Sequence, residues 1–310
     1  MQPVIPPVAR PLLEKELNEN TFVRDVNNGD NKIYIINIHN SPNTLREIGR
    51  LREVTFRAAG GGTTKEIDLD DFDTCERCYD QLIVWNPEDK EIVGGYRFIR
   101  CVDSKSPDGN YHLATTELFT FSEKFKKEFL PKTIELGRSF VQPNYQPSVT
   151  NRKGLFSLDN LWDGLGALVI DNPDMNYFFG KVTMYRHFNV TARDYILHFM
   201  DHYFPDKENL VGPHVPVKIK TDISAFEKEL DNHSYKDGHR ILNQHVRALG
   251  ENIPPLVNSY MNLSATMRNF GTAVNDEFGD VDETGILVNI SDVYPTKKER
   301  HFSSYTGRKK

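Results

Sequence analysis

The chain has 310 residues and a net charge of −6, with 38% hydrophobic and 26% charged residues. That balance supports a sizeable core and excludes wholesale disorder, and its acidic sign excludes a protein that coats nucleic acid through charge, so no nucleic-acid partner is expected. Three cysteines exclude a disulfide scaffold and fit a reducing, cytoplasmic setting, and no run approaches the roughly 20 apolar residues of a membrane span.

Residues 1–31 hold Pro3, Pro6, Pro7 and Pro11 and read as an extended arm without a secretory signal. A short apolar strand over 33–38 follows. Ser41-Pro42 then sets an N-cap and a proline at the first helical position, and Leu45, Ile48, Leu51 and Phe56 continue at helical spacing up to Gly60-Gly61-Gly62. After an acidic segment over 68–73, two strands, 81–85 and 92–100, are joined by a turn. A basic helix is expected within 121–131, a strand over 133–142, a helix over 158–170, a strand over 177–184 and a helix over 192–204. Residues 205–240 are poorly periodic and read as a surface excursion or lid. A helix over 238–249 and a last strand over 286–290 close one domain spanning 32–295, and a basic tail occupies 296–310. The fold class expected is α/β, or α+β with one mixed sheet.

The run from Glu135 to Tyr145 carries most of the chemistry. Glu135 and Arg138 stand three apart at the front of an apolar strand, and Gly164 and Gly166 lie in the first turns of the following helix. A buried strand leading to a glycine-bearing helix N-terminus is a common way to hold a phosphorylated cofactor. Ionisable groups on that strand point to an enzyme.

Five segments in register resemble one family: Leu51-Arg52 with Phe56; Asp68, Asp70 and Asp73; Gly94-Gly95-Tyr96-Arg97; Glu135-Leu136-Gly137-Arg138-Ser139; and Asn160-Leu161-Trp162-Asp163-Gly164. Tyr177-Phe178-Phe179-Gly180 and the run from Pro254 to Tyr260 add to it. The chain over 45–292 resembles a branch of the GNAT acyltransferase superfamily. That branch holds the acyl-ACP-dependent N-acyltransferases of lyso-ornithine and lyso-glycine lipid synthesis and is related to acyl-homoserine-lactone synthases. The resemblance implies a mixed sheet with splayed central strands, here 133–142 and 177–184, between which the pantetheine arm of an acyl donor lies like an added strand. It implies transfer of a fatty acyl group, such as a 3-hydroxyacyl group, from acyl carrier protein to the amine of an amino acid, with glycine preferred and ornithine open. No permanently bound cofactor is implied. An acetyl- or acyl-CoA-dependent transferase and a non-enzymatic interaction protein are the alternatives. A long apolar channel from the Glu135 strand would favour a fatty acyl donor, and a shallow cleft an acetyl donor.

The sequence departs from the usual glycine loop in having Leu161 at its first position and a longer insertion bearing Arg152-Lys153-Gly154. A single phosphodiester suits that insertion better than a pyrophosphate, which favours the carrier protein. Acidic carrier protein would dock on Lys124, Lys126, Lys127, Lys132, Arg152 and Lys153. The resemblance makes Glu135 the general base, Arg97 and Arg138 clamps for the acceptor carboxylate, and Asp70 and Asp73 part of the site around the amine. Arg52 would hold the acidic loop. Tyr195 and Tyr185 are candidate proton donors to the leaving thiolate, the Val141 and Gln142 N–H groups would meet the oxyanion, and Gly154, Gly164 and Gly166 would lie along the phosphate.

Other features read as structural. Cys75 and Cys78 have only Cys101 to complete a metal set, and His198 and His202 lack the acid of a zinc protease, so no metal is expected. Lys297, Lys298, Arg300 and Arg308-Lys309-Lys310 read as a solvated tail able to touch anionic lipid at the inner membrane surface.

Overall fold

The computed structural model describes residues 1–146 and 154–308. In chain order its helices and strands are α1 (Arg10–Glu16), β1 (Phe22–Asp25), β2 (Lys32–Ile36), α2 (Pro42–Ala58), α3 (Asp71–Thr74), β3 (Asp80–Asn86), β4 (Glu91–Arg100), β5 (Phe119–Phe121) and β6 (Thr133–Val141). Then come α4 (Ser157–Asp171), β7 (Tyr177–Met184), α5 (Val190–Tyr203), β8 (Val211–Pro213), α6 (Ser224–Leu230), α7 (Tyr235–Ala248), α8 (Pro255–Met261), β9 (Arg268–Asn275), β10 (Val281–Asn289) and α9 (Pro295–His301).

Eight strands form one mixed sheet in the order β1-β2-β3-β4-β6-β7-β10-β9, and β5 pairs with β8 apart from it. Every neighbouring pair in the large sheet is antiparallel except β6 with β7. The alternation of side chains along each strand buries two faces. One face packs Leu82, Val84, Tyr96, Ile134, Leu136 and Phe178 against residues of α4, α5, α7 and α8. The other divides in two. Ile83, Trp85 and Phe140 pack against Leu45, Ile48 and Phe56 of α2, while Ile99, Phe179 and Leu287 pack against Phe119, Phe125 and Phe129.

Four expectations are corrected here. The N-terminal segment is not a loose arm: it carries α1 and β1, and β1 extends the sheet beside β2. Ser41 makes no capping bond. The Glu16 carboxylate reaches the first turn of α2 instead, accepting from the Asn43 and Thr44 N–H groups at 3.1 and 2.7 Å, as free helix N-terminal donors require. Residues 205–240 are no simple excursion, because β8 pairs with β5 and Phe226 and Leu230 of α6 are buried in the main core. The basic helix is a short π-helical turn, Phe125–Phe129.

The C-terminal stretch is also docked rather than solvated. His301 lies 2.8 Å from Asp163 of α4, Arg300 pairs with Asp159, and Lys298 donates to the Ser291 carbonyl at 2.6 Å. Lys309 and Lys310 lie outside the described residues. No helix among the described residues is long and apolar enough to cross a membrane.

Candidate active site

The strands β6 and β7 pair in register only from Thr133↔Tyr177 to Leu136↔Gly180. Beyond that point β6 stays on β4 as far as Val141, and β7 stays on β10 as far as Met184. A notch therefore opens between residues 137–141 and 181–184, as expected of splayed central strands. Gln142 donates its N–H to the Val93 carbonyl at 3.0 Å, so it is committed to β4 and does not serve the notch. Successive peptide groups of a strand point to opposite edges, which turns the Val141 peptide to the open edge; its carbonyl there accepts from Gln146 Nε2 at 2.7 Å.

A β-bulge shapes the notch. Gly95 and Arg97 face Phe140 and Gly137, so β6 carries one extra residue across that interval, and Arg138 sits there at φ +47°. A non-glycine residue at positive φ is held by its surroundings. Here the bulge aims Arg138 at Asp68, 3.1 Å away, and stacks its guanidinium over the Phe278 ring at 4.3 Å.

The two sides of the notch differ. On one, Leu136, Phe178, Leu256, Ile286 and Val288 line an apolar cavity into which Tyr96, Ser139 and Tyr260 bring hydroxyls. Its free volume is about 20 Å³, room for about one water. This is a small cavity, not a long channel.

The opposite side is a charged ring. Arg52 and Asp73 are fully buried and paired at 3.1 Å, with Gln81 bonded to both. Arg97 Nη1 binds both Asp70 oxygens at 2.6 and 2.7 Å and Asp73 at 3.2 Å, and the guanidinium lies over the Tyr79 ring. Burial raises the Asp73 carboxyl, but the Arg52 and Arg97 cations outweigh it and hold the group well below the usual range. Burial disfavours the Arg97 cation, yet Asp73 and Asp70 more than restore it. Asp70 also caps α3, accepting from the Asp73 N–H at 3.2 Å.

Glu135 is buried on this same side, in the paired part of β6. The Tyr79 hydroxyl donates to it at 2.9 Å and the Thr115 hydroxyl at 2.6 Å; the Ala114 N–H in turn donates to Tyr79. Burial pushes its carboxyl up, and the two hydroxyls only partly offset this. Glu117, two residues past Thr115, opens to solvent beside the ring; burial of its inner side raises it despite Lys181, Arg97 and Arg138 nearby.

The chain is similar to known proteins along almost its whole length. A family model described as "Acetyltransferase (GNAT) domain" matches residues 51–153. A glycine N(alpha)-acyltransferase of Phocaeicola vulgatus is 50% identical over 306 residues, covering 98% of this chain and 94% of that one. One from Bacteroides thetaiotaomicron is 51% identical over 306 residues, covering 98% and 91%. The chain belongs to the glycine N(alpha)-acyltransferase family. Among solved structures, the AHL synthase LasI aligns at TM-score 0.41 and 10% identity over 91% of this chain and 100% of that one.

In this N-acyltransferase the expected glycines are needed for close packing. Gly164 and Gly166 stand inside α4, where a Cβ would meet Leu82 at 2.5 Å and the His301 carbonyl at 2.3 Å, so both serve close packing. A Cβ at Gly154 would meet the Tyr145 carbonyl at 2.0 Å. Tyr195 is also misplaced as a proton donor. From α5 it packs on Phe226 and His245, on the face of the sheet opposite Glu135. Tyr185 does reach the charged side, beyond the end of β7, with its hydroxyl pushed up to about 12 by burial and by Glu283. Arg152 and Lys153 lie outside the described residues. In the basic patch, Lys124 pairs with Glu208, and Lys126 and Lys127 with Glu123 at 3.1 and 3.8 Å.

Cys101 is buried among Tyr79, Phe119 and Phe125, while Cys75 joins Asp71 and His112 in a surface group whose ligand-type atoms lie within 4.8 Å. Five residues of the ring escaped the sequence reading: Tyr79, Gln81, Thr115, Lys181 and Glu283. Lys181 and Glu283 pair at 2.9 Å with little exposure. No local motif marks them, because they meet only through the register of β7 with β10.

Proposed function

We propose that this N-acyltransferase transfers a fatty acyl group, such as a 3-hydroxyacyl group, from acyl carrier protein to the amine of glycine, forming an N-acyl amino acid for aminolipid synthesis. The observation that carries this reading is the notch, with a charged ring on one side and an apolar, hydroxyl-bearing cavity on the other. A thioester tether lying in the gap as an added strand presents its carbonyl between them. The acyl chain then leaves toward Leu136, Phe178 and Val288, and the amine arrives from the ring. The names of the relatives favour glycine as acceptor.

In the reaction the neutral amine nitrogen attacks the thioester carbon, the C–N bond forms, the C–S bond breaks, and the pantetheine sulfur leaves as a thiol. The ammonium proton must go first to a base. Glu135 takes it, directly or through one water. The Val141 N–H on the open strand edge meets the oxyanion, and Tyr185 gives a proton to sulfur and regains one from the proton that the nitrogen loses on attack. A chain longer than acetyl enters only if α8 shifts, moving Leu256 and Tyr260 aside. Carrier protein docks along Lys126, Lys127 and Lys132.

The test is direct. Purified protein is given acyl-ACP or acyl-CoA of graded chain length, with and without a 3-hydroxyl, and a panel of amino acids, and products are read by mass spectrometry. N-acylglycine from long-chain acyl-ACP is expected. Acetyl-CoA as the better donor would overturn the choice of donor, and no amide with any acceptor would overturn the reading.

A further inference from the structure

The charged ring has a gap in it. Gly137 of β6 lacks a side chain on the ring side, and the nearest atom to a Cβ built there is Arg97 Nε at 3.9 Å. Arg97 is buried, and although its Nη1 is taken by Asp70 and Asp73, its Nε has no hydrogen-bond partner. A buried guanidinium N–H without an acceptor is unusual and calls for one.

Lys181 lines the same notch from β7. Its ammonium carries three N–H donors. One goes to Glu283 at 2.9 Å, and a long contact to the Ala114 carbonyl spans 3.5 Å. Glu283 is itself held by Asn275 at 3.1 Å and Thr183 at 3.3 Å, which fixes where the ammonium sits. Two cations thus border the gap at Gly137 with donors to spare. Arg138, by contrast, is engaged by Asp68 and Asp70.

We infer that Lys181 and Arg97 Nε, across the open face of Gly137, form the anchor for the acceptor's carboxylate. This rests on the amino-acid acceptor proposed above and moves the clamp from the Arg97–Arg138 pair to the Arg97–Lys181 pair. An α-amino acid bound this way has its carboxylate at the ring and its amine one carbon away, toward the notch. Glycine and glycinamide have the same shape, but only glycine offers the anchor an anion.

The experiment compares glycine with glycinamide as acceptors for wild type, Lys181→Met, Lys181→Arg and Gly137→Ala. Wild type is expected to prefer glycine. Lys181→Met should raise the glycine KM at least tenfold, leave the donor KM unchanged and erase the preference, with Lys181→Arg restoring part of it. Gly137→Ala fills the gap without a clash and leaves the Lys181–Glu283 pair intact, so it also tests the site if loss of that pair impairs folding. Its glycine KM should rise at unchanged melting temperature. Wild type acylating glycinamide as well as glycine, or Gly137→Ala with a wild-type glycine KM, would overturn the anchor. Neither result would touch the acyltransferase reading, which fails only if wild type makes no amide.

Discussion

Leu136 and Gly180 are the last residues that join β6 to β7, and a Cβ at Gly180 would lie 2.4 Å from the Leu136 carbonyl oxygen. The width of the notch is therefore set where these two backbones nearly touch. Gly180→Ala must push the strands apart at the hinge of the opening. The expected cost is about 1–3 kcal/mol, as for other overpacked sites. Urea denaturation should show it, together with a fall in turnover larger than that of a surface alanine substitution.

Asp70 and Asp73 are neighbours with unequal burdens. Asp73 is wholly buried against Arg52, whereas the Asp70 side chain is 31% exposed. Asp73→Asn leaves a buried cation short of its counter-charge and should cost about 3–5 kcal/mol. Asp70→Asn keeps a residue that caps a helix equally well and leaves Arg97 paired with Asp73, so it should cost less, about 1–2 kcal/mol. Equal losses in chemical denaturation would contradict this division.

The pH profile separates the two carboxylates beside Thr115. Burial raises Glu135, so the folded chain binds that proton more tightly than the unfolded chain does. The resulting stabilisation is complete below the unfolded value near 4.3 and is lost as pH rises through the higher folded value. Glu135→Gln should thus gain in melting temperature relative to wild type as pH climbs through that window. It should also lose the rising limb of the pH–rate profile. Glu117→Gln should keep that limb; if it alone lost the limb, Glu117 would be the base.

The glycines of α4 offer a check on the donor site. Gly166→Ala would drive a Cβ to 2.3 Å from the His301 carbonyl and 2.8 Å from the Phe302 ring. A loss of about 1–3 kcal/mol through displacement of α9 is expected. The donor KM should stay unchanged, as expected of a packing glycine. A raised donor KM at wild-type stability would return Gly166 to the binding site.

Much of the fold was legible because its central strands declare themselves. Residues 133–141 and 177–184 are dense in buried side chains and end at sharp breaks, so both were placed almost to the residue. β9 was missed because Arg268, Asn269, Gly271, Thr272 and Asn275 interrupt its apolar residues, and its partners come from β10 and the loop near Val217. The site was half legible. Glu135, Arg97, Asp70 and Asp73 lie in runs that resemble the family, and the fold brings them together. Gly164 and Gly166 misled, because a glycine that admits a neighbouring chain looks in sequence like one that admits a phosphate. Lys181 and Glu283 had no local signal, since their pairing exists only across two strands.

The central claim is that the donor's tether lies between β6 and β7. Backbone hydrogen exchange, with and without a non-transferable acyl-pantetheine analogue, tests it most directly. Slowed exchange confined to 137–141 and 181–184 is the predicted result. Unchanged exchange in both segments, with protection appearing instead at the start of α4, would contradict it.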